Sequence, residues 1–180
     1  MRIIFIVSLL LLVPLGCHYD QTGTVNVKAT RTVKETADHL ETLLAEKGMT
    51  IFARINHAAG AQRIGKELRP TELVIFGNPK AGTPLMQCNQ TTAIDLPQKM
   101  LIWEDEKGQV WLTYNNPEYL AHRHKLADCA EKVIKTVADN LNKLTHKVSS
   151  HQSSIDGGTW SHTLRQRIEV FKYYSCPLIS

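Results

Sequence analysis

Residues 99–114 read KMLIWEDEKGQVWLTY. Two alternating stretches, 99–104 and 109–114, flank Glu106-Lys107-Gly108. A three-residue loop ending in glycine is a favoured hairpin turn, because glycine takes a positive φ there without strain. The register that follows puts Trp103 opposite Trp111, a cross-strand aromatic pair contributing about 0.2–1 kcal/mol. Ile102, Val110, Leu112 and Tyr114 fall on the other face and read as core. The tryptophans are left on the second face. There they meet a covering helix or loop, form a subunit interface, or line a ligand.

Working upstream, residues 72–76 (ELVIF) are apolar on both faces, which points to a central strand. Residues 50–55 (TIFARI) form another. Residues 24–31 (TVNVKATR) alternate, with Val25, Val27 and Ala29 on one side, as a half-buried strand does. Thr32 stands three residues before Glu35, a capping box that opens a helix. Val33, Ala37, Leu40 and Leu44 are its buried stripe, and Gly48 supplies the left-handed stop. Asn56 caps a short helix over 57–68, with His57 in the first turn and Pro70 beyond its end.

Downstream, Asn116 and Pro117 are a cap and a first helical residue. Leu126, Cys129, Val133, Val137, Leu141 and Leu144 recur at helical spacing, with a break near His124-Lys125. The order is strand, helix, strand, short helix, strand, short helix, hairpin, long helix. No regular βαβ unit appears. The pattern predicts an α+β domain: two layers, a mostly antiparallel sheet, core order β-α-β-β-β-β-α with short inserted helices, and the long helix across one face. That domain is assigned to 17–146. Residues 147–180 are read as linker and tail, Ser/His/Gly-rich over 147–161 and apolar and aromatic again over 165–180.

The stretch FGNPKAGTPLM, residues 76–86, poses the main functional question. A phosphate-cradling loop needs G-x-x-x-x-G-K-[ST]. Gly77 and Gly82 have that separation, but Thr83 stands in place of the lysine and Pro84 in place of the hydroxyl residue. Nucleotide hydrolysis by this route is not expected. The structural reading has Gly77 ending a strand, Pro79 to Gly82 turning the chain, and Thr83 capping a helix that begins at Pro84. A functional reading remains beside it, with the capped helix start and Lys80 holding a carboxylate or other small anion.

The chain has 180 residues, 43% hydrophobic and 21% charged, which is enough for one domain with a real core. The net charge of +4 comes from basic residues scattered among acidic ones, as in VKETADHLETLLAEK, so no nucleic-acid partner is expected. Residues 1–16 read as a signal peptide. The apolar run from Ile3 to Leu12 follows Arg2 and is about half the length that spans a bilayer. Export to the periplasm or the envelope membrane follows, with membrane contact only through that peptide or a lipid anchor. Leu15-Gly16-Cys17 matches the end of a lipoprotein signal, but Pro14 stands where leucine is usual. Lipid attachment at Cys17 and ordinary signal-peptidase cleavage both stay open. Cys88, Cys129 and Cys176 form no C-x-x-C pair. Cys129 is most simply a buried small hydrophobe, and spacing does not fix a disulfide.

Among eight histidines, His57 stands out. The helix dipole disfavours an imidazolium in a first turn, leaving the form that accepts a proton or binds metal. The plainer role is a hydrogen bond to nearby backbone. His122 and His124, two apart on a helix, point to different faces and read as surface or interface. His146, His151 and His162 have no zinc spacing, so no metal or other cofactor is expected.

GMTIFARINHAAGAQRIGKELRPTELVIFGNPKAGTPLMQ, DLPQKMLIWED and VWLTYNNPEYLAHRH closely resemble the bacterial family called domain of unknown function 302, over about residues 47–124. The resemblance implies a compact α+β domain with a curved antiparallel sheet and helices on one side. It also implies homodimers, and leaves the activity open. One departure is Asn56, where the family usually has aspartate before the histidine; this weakens any Asp-His proton transfer. The leading expectation is a non-enzymatic envelope module, dimeric, binding a small ligand through His57, Asn78, Lys80 and Thr83 on one rim. The alternatives are an enzyme with His57 as general base assisted by Glu104 or Tyr114, and a purely structural dimer.

Overall fold

The structure, a computed structural model, describes residues 23–150. The signal segment with Cys17, the tail from residue 151 onward, Cys176, His151 and His162 lie outside the described residues.

The hairpin forms as its sequence dictates. Strands β4 (Gln98–Glu104) and β5 (Val110–Asn115) pair with Trp103 opposite Trp111. Gly108 takes φ 75°, and Asp105 Oδ1 accepts from the amides of Lys107 and Gln109, which closes the loop. Both indoles are satisfied: Trp103 Nε1 donates to Thr113 Oγ1 at 2.8 Å and Trp111 Nε1 to Asp105 Oδ2 at 2.9 Å. The bond from Trp111 is the main reason the Asp105 carboxyl titrates below its ordinary value.

Three strands extend the hairpin. β1 (Thr24–Ala29) pairs with β5, β3 (Thr71–Gly77) with β4, and β2 (Thr50–Asn56) with β3, all antiparallel. The order is β1-β5-β4-β3-β2, so β3 has neighbours on both sides, as its sequence requires. Buried strand residues lie on one face only: Ala29, Glu72, Val74, Phe76, Met100, Ile102, Val110, Leu112 and Tyr114. That face meets α1 (Val33–Glu46) and α5 (Ala127–Ser149). Leu40 and Leu44 of α1 are completely buried, and Leu141, Leu144 and Val148 of α5 nearly so. Each such side chain contributes about 1.5–3 kcal/mol of burial. The Thr32–Glu35 capping box is present in both directions, and Gly48 takes φ 62°.

Several expectations change. The helix after β3 does not begin at Pro84. α3 spans Pro79–Cys88, with Asn78 as its cap and Pro84 inside it. The stretch read as a turn, Pro79 to Gly82, is therefore helical. α2 (His57–Arg63) stops before Ile64, with Gly65 at φ 68°. α4 (Pro117–Arg123) is separated from α5 by Lys125 at φ 53°, the break its sequence marks. The buried stripe of α5 runs through Ala130, Ile134, Leu141, Leu144 and Val148, while Cys129 is exposed. α5 continues past residue 146 because Val148 is core and because its last carbonyls have partners. Arg31 donates to Val148 O and Ser150 O, and Thr30 to Ser149 O.

α1 is also held to the sheet edge by charge. Arg54 on β2 donates to Glu72 at 2.6 Å, Asp38 at 2.6 Å and Glu41 at 2.9 Å. Burial works to lower the Arg54 pKa, but the bonds to Glu72, Asp38 and Glu41 outweigh it and hold it above its ordinary value. The Asp38 carboxyl is held low by Lys34 first and Arg54 next. Glu72 is buried, and without Arg54 its charge would be costly.

Candidate functional site

Where β3 ends, the chain enters α3, and the gap between α3 and α5 is a groove of about 850 Å³. Its floor is the edge of the main core: Phe76, Leu44, Leu141 and Leu144. Leu85 and Met86 of α3 form one wall, Val133 and Val137 of α5 the other. Phe52 stands at the mouth. It is the extra residue where the β2–β3 register slips, and it is 56% exposed. A Cβ at Gly77 would lie in ordinary contact with Pro97 at 3.4 Å and Phe52 at 3.5 Å.

Polar side chains are interspersed in the lining: Asn78 and Thr83 at α3, Gln98 on β4, and Thr136 and Asn140 on α5. Asn78 Oδ1 accepts from the Lys80 amide at 2.9 Å, so the side chain of Asn78 is engaged in capping α3. Lys80 and Thr83 both line the groove, Thr83 from inside α3 rather than as its cap. Lys47 and Lys132 join Lys80, and among the described residues no carboxylate lines the groove.

His57 is not there. β2 and β3 run antiparallel, with Thr50 opposite Gly77 and Asn56 opposite Glu72. His57 therefore lies at the far end of the strand pair, about 20 Å from Asn78 by strand rise. The expected single rim for His57 and the 78–83 loop does not form, because the carboxyl-terminal ends of two antiparallel neighbours fall at opposite ends of the pair. The amide of Asn56 donates to Glu72 Oε1 at 3.2 Å while its oxygen accepts from the Ala59 amide at 2.7 Å. Aspartate could not make that donation, so asparagine suits the buried Glu72 beside it.

The trio proposed for general-base chemistry does not gather either. Glu104 sits opposite Val110, at the end of the sheet nearer His57. Tyr114 is four residues further along β5, about 13 Å away by strand rise, and buried on the helix-covered face.

Two features were missed by sequence. His124, read as surface or interface, is buried. Its Nε2 is 2.5 Å from Asp95 Oδ2 and its Nδ1 3.4 Å from Thr91 Oγ1. The Thr91 hydroxyl is within 2.8 Å of Asn89 Oδ1, and Asn89 Nδ2 donates to His124 O. The group ties the 3-10 turn Gln90–Ile94 to the α4–α5 junction. The hint lay in spacing, since His124 falls four residues after buried Leu120 and two before buried Leu126. The second feature is a Cys88–Cys129 disulfide, which joins the end of α3 to the start of α5. No local signal marked that pairing.

Fold and site together define a two-layer α+β domain with an apolar, lysine-rimmed groove between its third and fifth helices. The chain belongs to the family described as Domain of unknown function DUF302, whose model matches residues 24–144. That span takes in all five strands, α1 and most of α5, and so exceeds the 47–124 carried by the motifs. The chain is 43% identical over 124 residues to proteins named Fluoride-specific ion channel FluC 1 from Brucella suis biovar 1 (strain 1330) and from Brucella abortus biovar 1 (strain 9-941). The matches cover 69% of this chain, and 49% and 46% of those proteins. The chain thus spans about half the length of the curated relatives it matches. No described helix is long and apolar enough to cross a membrane. The crystal structure of an uncharacterized conserved protein DUF302 from Bacillus stearothermophilus superposes with TM-score 0.56 at 18% identity, covering 71% of this chain and 95% of that one, a likeness of fold.

Proposed function

We propose that this chain is an exported, non-enzymatic module that holds a small apolar ligand in the groove between α3 and α5. The observation that carries the reading is the groove itself, apolar on its floor, mainly apolar on its walls, and within the roughly 300–1,000 Å³ typical of ligand sites. Export draws support from residues 1–16 and from the Cys88–Cys129 disulfide, since such bonds persist in oxidising compartments. The fluoride conduction named for the longer Brucella relatives is not part of this proposal.

Gly82→Leu tests the groove. A Cβ at Gly82 would meet Leu96 at 3.6 Å and Met86 at 4.0 Å, ordinary contacts, so the position, which lines the groove, admits a side chain. Helix propensity rises with loss of a glycine inside α3. The affinity for a neutral apolar probe, N-phenyl-1-naphthylamine followed by fluorescence, is expected to drop about tenfold, or 1.4 kcal/mol. Unchanged binding removes the groove from the reading.

The second face of the sheet favours a pair of identical copies, whether it serves binding or is purely structural. Leu73, Ile75, Leu101, Trp103 and Trp111 lie there and none is fully buried. A two-fold interface would put this patch against itself. Native mass spectrometry of the wild type is expected to read a dimer, and Trp111→Lys a monomer. A wild-type monomer sinks the dimer reading; the same spectra report any acyl group on Cys17.

A further inference from the structure

We infer that the occupant of the groove is a free, single-chain anionic amphiphile: a hydrocarbon body ending in a carboxylate or similar head. This rests on the groove reading above and adds the chemistry of the ligand. The observation is the asymmetry of charge at the rim. Lys47 caps the end of α1, Lys80 lies in the first turn of α3, and Lys132 is on α5. Lysines from three separate elements thus line one largely apolar opening, and among the described residues its lining contains no Asp or Glu. Over the whole chain the two signs are nearly matched, 21 Lys and Arg against 17 Asp and Glu. None of the three amines has a hydrogen bond or ion pair among the described residues, whereas Lys34 is paired with Asp38 and Lys99 with backbone carbonyls.

The chemistry follows from the two parts. Phe76, Leu85, Leu141 and Leu144 reward an alkyl chain and offer no partner to a polar body. A neutral chain would use the floor and leave the lysines idle. A cationic one would bring like charge to the mouth. An anionic head at the opening keeps its own hydration, meets any of the three ammonium groups, and needs no desolvated ion pair. The long lysine stems let the heads follow ligands of different length.

The test uses the full chain at pH 8 and measures binding of dodecanoate, dodecanol and dodecyltrimethylammonium by calorimetry. Dodecanoate is expected to bind about tenfold tighter than dodecanol, since three exposed ion pairs contribute little each. The cation is expected to bind most weakly. Raising the salt to about 1 M shrinks the Debye length to about 3 Å and should erase most of the preference. The triple variant Lys47→Gln, Lys80→Gln, Lys132→Gln should lose the preference, its affinity for dodecanoate falling to the level of that for dodecanol; its fold is checked by circular dichroism. Equal affinity for dodecanoate and dodecanol overturns the inference and leaves the groove standing. No binding of any alkyl compound, with N-phenyl-1-naphthylamine also indifferent to Gly82→Leu, overturns both. Adsorption to phosphatidylglycerol vesicles without uptake of dodecanoate also overturns it, by assigning the lysines to a membrane surface.

Discussion

Removing the Cys88–Cys129 disulfide is expected to cost about 4 kcal/mol of stability on the chain-entropy estimate. The two cysteines are 41 residues apart in sequence, and their Cα atoms are 6.0 Å apart, inside the usual range for a bridge. Between them lie the 3-10 turn, the whole β4–β5 hairpin and α4. Opening that loop in the unfolded chain restores the entropy that the bridge removes. The bridge also closes a small second core, in which Leu85 of α3 packs with Leu126, Ala130 and Ile134. α3 and α5 are the walls of the groove, so the reduced protein should lose affinity for apolar probes before it unfolds. Urea unfolding of Cys88→Ser/Cys129→Ser beside the oxidised wild type reads the first effect, and probe binding at low urea reads the second. A stability difference under about 1 kcal/mol would mean that the loop contributes none of the constraint its length implies.

What sequence could and could not reveal divides along physical lines. The hairpin, the capping box at Thr32 and the break at Lys125 rest on local chemistry: a turn glycine, a side-chain cap and a spacing. All three appear where their residues put them. The start of α3 rests on local chemistry too, but the stretch holds two competing signals. Asn78-Pro79 and Thr83-Pro84 are each a cap followed by a first helical proline. The earlier pair prevails because Asn78 bonds the Lys80 amide and its carbonyl takes the amides of Ala81 and Gly82. Pro84 then forgoes one helical bond, which the rest of the helix tolerates. The remaining misses are non-local. Whether His57 joins the 78–83 loop depends on the sense of β2–β3 pairing. The burial of His124 depends on Asp95, 29 residues away. The groove exists only because α3 and α5, separated by the hairpin, are brought side by side.

Phe76→Ala should destabilise the domain by about 3–5 kcal/mol, the range for deleting a buried aromatic ring. Phe76 is the bulkiest of the fully buried side chains, 1% exposed, opposite Ile51 on β2 and Gln98 on β4. Its ring belongs to the main core on one side and to the floor of the groove on the other. That double membership makes the effect informative. A void under the floor has an open side, so the lost contacts can be restored by a ligand in a way that a sealed cavity does not permit. Dodecanol should therefore recover part of the stability lost in Phe76→Ala, raising its unfolding midpoint more than that of the wild type. Phe76→Leu, closer in volume, should cost about 1.5 kcal/mol or less. Thermal unfolding of the three proteins with and without dodecanol measures both quantities. A penalty below about 1 kcal/mol for Phe76→Ala would show that the ring is not packed as a core residue. A full penalty that dodecanol does not reduce would show that the floor is sealed from the groove. Core packing and ligand binding would then be separate properties of this fold rather than two uses of one aromatic side chain.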